Sequence, residues 1–195
     1  MKIYLLDRNE EMVDAWSKYF SEKEATIVHA DFMEFMDEHS DIDCIVSPAN
    51  AYGIMDGGYD AAITRYFGNM LKHAVQEKII NEWYGEQPVG TSISVPIPKE
   101  CYWKENSILI HTPTMRVPEV IIDPRIVYQC MRTTLIEAKK QGVQNIVIPA
   151  FGGACGRVNY KTIAKYMYLA YQQVNDPPHQ LHWAYAADMT NKLKN

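Results

Sequence analysis

Three places in the chain set polar side chains or bare backbone where an apolar run ends. Asn50 and Asp60 stand at the two ends of a glycine-bearing stretch in SPANAYGIMDGGYDAAI, residues 47–63. An asparagine offers both a donor and an acceptor. Gly57 and Gly58 let the backbone approach a ligand or take positive φ. Asp60 falls where a helix should begin, and its charge suits that end of the helix dipole. Ordinary turn chemistry explains the glycines and Asp60 but gives no particular reason for Asn50. Asp31 follows the run ATIVHA. Its carboxylate can accept from an exocyclic amine or a ribose hydroxyl, or cap the short helix FMEFM. In PAFGGACGRVN, small Ala154 and Cys155 sit among Gly152, Gly153 and Gly156. Successive N–H groups in such a loop can cradle phosphate, and Arg157 adds a positive charge. The loop is neither G-x-G-x-x-G nor a Walker motif, and no G-K-[ST] occurs in the chain. Together the three places supply the parts of a nucleoside-diphosphate cleft: an acceptor for a base, backbone donors for pyrophosphate and polar groups for sugar hydroxyls.

The elements that position these residues are readable from periodicity and punctuation. KIYLL, ATIVHA, CIVS, TSISVPI, SILIHT, NIVIPA and, last, LHWAYA read as strands. NEEMVDAWSKYF reads as a helix capped by Asn9 or Asp7, with Met12, Val13, Trp16, Tyr19 and Phe20 on one face. A helix is expected from near Tyr59 and another over MLKHAVQEKIINEWY. In DPRIVYQCMRTTLIEAKKQG, Asp123 is the expected cap, Pro124 suits the first turn and Gly142 the end. Asn159 opens NYKTIAKYMYLAYQQV. Strands alternating with helices predict a three-layer α/β/α sandwich. TSISVPI and SILIHT lack an intervening helix, which makes part of the sheet antiparallel. Ligands of open α/β sheets sit outside the carboxyl ends of the strands, where Asp31, Asn50 and the second glycine loop fall.

Composition narrows the class. The 195 residues suit one domain, 1–195, with 47% hydrophobic and 22% charged residues. A net charge of -5 argues against a broad nucleic-acid surface. No apolar run reaches the length of a membrane span, and MKIYLLDRNE is too short in apolar residues for a signal peptide. Cys44, Cys101, Cys130 and Cys155 form no C-x-x-C pair, so reduced thiols in a cytoplasm are expected. The histidines show no metal-ligand spacing, and no metal or cofactor is implied. His111 reads as a structural histidine of an apolar strand. Cys155 is the one thiol worth testing for reactivity, with loop filling as its plainer role.

With these residues in view, the chain resembles the macro domain family of ADP-ribose binders and hydrolases over nearly its whole length. VHADF resembles the family's V-x-G-D-I. VSPANAYGIMDGGYDAAI resembles V-N-A-A-N … G-G-G-V-D-x-A-I, with the same spacing from asparagine to aspartate. VGTSISV and ILIHTPTM resemble the G-x-A … I-I-H-T-x-x-P region, and VIPAFGGACGRVN the second loop in its P-G-L-G-T-G-x-G-R form. The compact chain and this loop are similar to phage-type members. The resemblance implies a mixed, mostly parallel six-stranded sheet and ADP-ribose or a derivative as ligand. It implies that Asp31 accepts from the adenine amine beside the backbone of Phe32, and that Asn50 holds distal-ribose hydroxyls. Gly57, Gly58 and Tyr59 would form the first loop; Gly152, Gly153, Ala154, Cys155 and Gly156 the second, with Arg157 at its end. Asp60 would position or activate a water at the anomeric carbon. The implied activity is hydrolysis of a C1″ substituent, such as a phosphate, an acyl group or an ADP-ribosylated carboxylate; the alternative is a non-catalytic ADP-ribose-binding module. Four departures stand out: Ser47-Pro48 for the first two residues of N-A-A-N, Asp56 and Ala154 for glycines, and a second loop lacking an aromatic residue. Tyr185 in AYAAD is left as the candidate for adenine stacking.

Overall fold

A computed structural model of the protein describes residues 1–194. Its sheet has six strands: β1 (Lys2–Asp7), β2 (Thr26–His29), β3 (Cys44–Ser47), β4 (Ile93–Pro96), β5 (Ile108–His111) and β6 (Asn145–Pro149). They lie in the order β2-β1-β6-β3-β5-β4. All neighbours are parallel except β4 and β5, which pair antiparallel with Ile93 opposite His111. The helices are α1 (Glu10–Ser17), α2 (Phe32–Glu38), α3 (Gly58–Phe67), α4 (Asn69–Trp83), α5 (Arg125–Lys140), α6 (Tyr160–Asn175) and α7 (Trp183–Lys192).

The central strands are apolar through their middles, Ile3–Leu6, Cys44–Val46 and Ile146–Ile148, because both faces of the sheet are covered. Alternation divides them between two cores. Ile3 and Leu5 of β1, Val46 of β3, and Ile146 and Ile148 of β6 pack with Trp16, Met131 and Met167 on the α1/α5/α6 side. Their neighbours Tyr4, Leu6, Ile45 and Val147 pack with Phe35, Ile63 and Val75 on the α2/α3/α4 side. This is the period-two rule of a strand acting on two cores at once. Burying each such aliphatic side chain contributes about 1.5–3 kcal/mol.

Helix ends follow the local chemistry. The Asn9, Asp31 and Asn159 side chains accept from the backbone N–H of Glu11, Met33 and Lys161. Asp123 Oδ1 accepts from Arg125 N–H at 3.0 Å, so its carboxylate caps α5 from two residues upstream. Gly142 takes φ +69° just beyond the end of α5, where a side chain would be strained.

One expected element is different. LHWAYA is not a strand: its last four residues lie in α7, opened by His182, whose Nδ1 accepts from Tyr185 N–H at 3.1 Å. Ala184, Ala186 and Ala187 favour helix over strand, and α7 buries none of its residues. No apolar face therefore draws this segment into the sheet.

Candidate functional site

The sheet order sets the geometry of a cavity of about 410 Å³ at the carboxyl ends of its strands. The ends of β2 and β1 bring Asp31, Asp7 and Arg8 to one end. The loop after β6 forms the middle. The loop after β3 and residues after β5, Thr114 and Met115, form the other end. With strands about 4.8 Å apart, β2 and β3 are separated by roughly 14 Å. The cavity is therefore elongated across the strand ends.

Asp31 is exposed at the first end. One of its oxygens accepts from Met33 N–H at 2.8 Å as the cap of α2, leaving the other for a ligand. Cap and wall residue are thus the same group. Phe32 is buried below it and meets Tyr59 edge to face at 5.0 Å between ring centroids. The Tyr59 hydroxyl is covered and has no hydrogen-bond partner among the described residues. Burial, reinforced by the carboxylates of Asp60, Asp7 and Asp31, holds its ionisation well above the usual phenol range.

Asn50 is buried, and its side chain braces its own loop. Oδ1 accepts from Tyr52 N–H at 3.1 Å and Ile54 N–H at 3.3 Å, and Nδ2 donates to the Ile54 carbonyl at 3.1 Å. One Nδ2 hydrogen remains for a ligand. The backbone is fixed from outside by Ala51 N–H, which donates to the Met115 carbonyl at 3.1 Å. Gly57 precedes α3 and has no side chain to cap it. The N–H groups of Gly58 and Tyr59, at the start of α3 where no intrahelical partner is available, therefore stand open at the cavity wall.

Asp60 lies in the first turn of α3, buried in that wall. Ser47, at the end of β3, donates from Oγ to Asp60 Oδ1 at 2.6 Å. Burial pushes the Asp60 carboxyl up to about 7. The Ser47 hydrogen bond opposes that rise, and the charge of Asp56 adds to it. A carboxyl with this ionisation can accept a proton near neutral pH.

The second glycine loop is as closely packed as its composition suggests. Gly152 takes φ +77°. A Cβ on Gly156 would lie 2.6 Å from the Gly152 carbonyl oxygen, so only glycine fits. Among the described residues, no backbone hydrogen bond uses the N–H groups of Ala154, Cys155 or Gly156. The loop thus offers a row of open donors at the middle of the cavity. Cys155 is exposed within it.

The cavity brings together Asp31, Phe32, Asn50, Gly57, Gly58, Tyr59, Asp60 and Gly152 through Gly156. It does not include Arg157, which is exposed with φ +52°. Asp56 lines the cavity and is exposed, and no ion pair among the described residues involves it or Arg157. Tyr185 is also elsewhere, on α7, where its hydroxyl accepts from Gln173 at 2.9 Å. His111 is fully buried with Nδ1 2.7 Å from Gln87 Oε1, and burial lowers its ionisation to about 4. It is a neutral structural group. Among the described residues no cluster of three or more His, Cys, Asp or Glu is placed to hold a metal, and no helix is long and apolar enough to cross a membrane.

Sequence reasoning missed Asp7, Arg8 and Ser47. The strand-end rule that picked out Asp31 and Asn50 applies equally to KIYLL, after which Asp7 and Arg8 follow directly. Ser47 ends CIVS and departs from the family motif, but its role does not follow from either, since its partner lies 13 residues away.

The macro domain family model matches residues 46–167, well over half of the chain. The chain belongs to the macro domain family. An uncharacterized protein of Aquifex aeolicus is 30% identical over 127 residues, which cover 65% of this chain and 71% of that protein. Among solved structures, the Oceanobacillus iheyensis macrodomain with ADP superimposes with a TM-score of 0.59 at 22% identity, covering 78% of this chain and 83% of that one. A glycine-to-valine mutant of that macrodomain with ADPR gives 0.58 at 22% identity, covering 78% and 85%. At these identities the likeness speaks for the fold: a macro domain with a mixed six-stranded sheet between helical layers.

Proposed function

We propose that this macro domain binds ADP-ribose in the elongated cavity and hydrolyses a substituent from C1″ of its distal ribose. The base end would be Asp31, accepting from the adenine amine over Phe32. The open N–H groups at the start of α3 and in the Ala154–Gly156 loop suit the diphosphate between them. The remaining Nδ2 hydrogen of Asn50 suits a distal-ribose hydroxyl. The solved relatives with ADP and ADPR support this ligand class.

The observation that carries the catalytic part is Asp60, a buried carboxyl of the cavity wall. One of its oxygens is held by Ser47, and its ionisation is raised to about 7. Its Oδ2 would accept a proton from a water as the water oxygen bonds to C1″. The C1″–O bond breaks, its electron pair leaves with the departing group, and Asp60 passes the proton to solvent. Free ADP-ribose and the released acid are the products.

A second reading is a binding module without turnover. It is favoured by the Asn50 side chain, most of whose hydrogen-bonding capacity is spent on its own loop. Titration calorimetry with ADP-ribose, ADP and AMP tests what the two readings share. ADP-ribose should bind most tightly because it alone fills the distal end. Absence of heat with all three ligands would overturn both readings.

A further inference from the structure

The distal end of the cavity is built from neutral groups and carboxylates. Asp56 and Asp60 lie in its wall, close enough that the charge of Asp56 raises the ionisation of Asp60. Asp56 is exposed and, among the described residues, in no ion pair. The cations that could offset it are elsewhere. Arg8, the one Lys or Arg of the cavity wall among the described residues, is at the end of β1. With β6 between β1 and β3, that strand end is two strands away, roughly 10 Å. Arg157 is off the wall. Arg116, next to wall residue Met115, is held by Glu86 at 2.7 Å.

These placements have a chemical consequence at C1″. The diphosphate in the middle of the cavity meets backbone donors. A further phosphate on C1″ would carry close to two negative charges beside Asp56, and among the described residues no Lys or Arg lines that end of the cavity to receive them. An acyl ester at the same carbon, such as an ADP-ribosylated Glu or Asp side chain, carries no charge until it leaves. It meets neither repulsion nor the desolvation cost of an unpaired anion.

We propose that Asp56 is a specificity-determining residue that makes the distal end select uncharged C1″ linkages, with acyl esters of ADP-ribose as the substrate class and ADP-ribose-1″-phosphate rejected. This rests on the ADP-ribose reading of the cavity but not on turnover, because the selection acts on binding.

The test is calorimetric, in an Asp60→Asn background so that no ligand is consumed. ADP-ribose and ADP-ribose-1″-phosphate are titrated into Asp60→Asn protein with Asp56 intact and into the Asp56→Asn double variant. Two like charges against one across a few ångströms of hydrated cleft predict a preference for ADP-ribose on the order of tenfold or more. That preference should shrink in the Asp56→Asn double variant and weaken at high salt. Asparagine matches aspartate in shape, and the position is exposed, so the fold is retained. Equal affinities with Asp56 intact, or a preference unchanged by Asp56→Asn, overturn the proposal while leaving the ADP-ribose reading in place. Failure of both ligands to bind any variant overturns the two together.

Discussion

Replacing Asp60 by asparagine should stabilise the macro domain, and only at the pH values where the aspartate is charged. The Asp60 carboxyl titrates near 7 in the folded protein, against 3.8 for a free aspartate. Between those values the native state holds a proton that the unfolded chain has released. Stability therefore falls as pH rises from about 4 to about 7 and levels off above. A shift of about three units corresponds to ~4 kcal/mol, the ceiling on what the buried charge costs at alkaline pH. Asparagine keeps the shape and an acceptor for the Ser47 hydroxyl but has nothing to ionise. The Asp60→Asn variant and the parent should be of similar stability near pH 4, with the variant gaining up to ~4 kcal/mol near pH 8. Urea unfolding of both proteins across this range reads the difference directly, because every other titrating group cancels. At about 2–4 °C per kcal/mol for a chain of this size, thermal melts should show it as well. A stability difference that is flat in pH would refute the view that burial raises the Asp60 carboxyl.

Two further outcomes follow from the same contacts. Ser47→Ala removes the 2.6 Å hydrogen bond that opposes the rise in Asp60. The pH–rate profile for hydrolysis should then move to higher pH, with a several-fold lower rate at neutral pH and little change in ADP-ribose affinity; an unmoved profile would show that Ser47 does not tune Asp60. Gly156→Ala places a methyl 2.6 Å from the Gly152 carbonyl, so the second loop must shift. We expect ADP-ribose affinity to fall by about tenfold or more as backbone donors leave the diphosphate, and affinity equal to that of the parent would remove the loop from the site.

Much of this fold was legible because its central strands are buried on both faces. CIVS and NIVIPA admit little besides strand, and Asn9, Asp31 and Asn159 announce the helices they cap. The family motifs located the strand-end loops for the same reason: glycine at 152 and 156 is demanded by φ and by close packing. What stayed hidden depends on contacts that local patterns do not encode. The Ser47–Asp60 bond forms only when the loop after β3 closes onto its own strand. Arg157 reads as a phosphate ligand beside a glycine loop, yet it is exposed and lies off the cavity wall. LHWAYA has a strand-like alternation, but without a face to bury, its alanines settle as helix.

The account stands most directly on release of ADP-ribose from a protein mono-ADP-ribosylated on a carboxylate side chain, compared between the parent macro domain and Asp60→Asn at neutral pH. The parent should release ADP-ribose with turnover, and Asp60→Asn should lose that release by about a hundredfold or more while binding ADP-ribose within a few-fold of the parent. Release by Asp60→Asn at the parent's rate, or none by the parent above buffer alone, would contradict it.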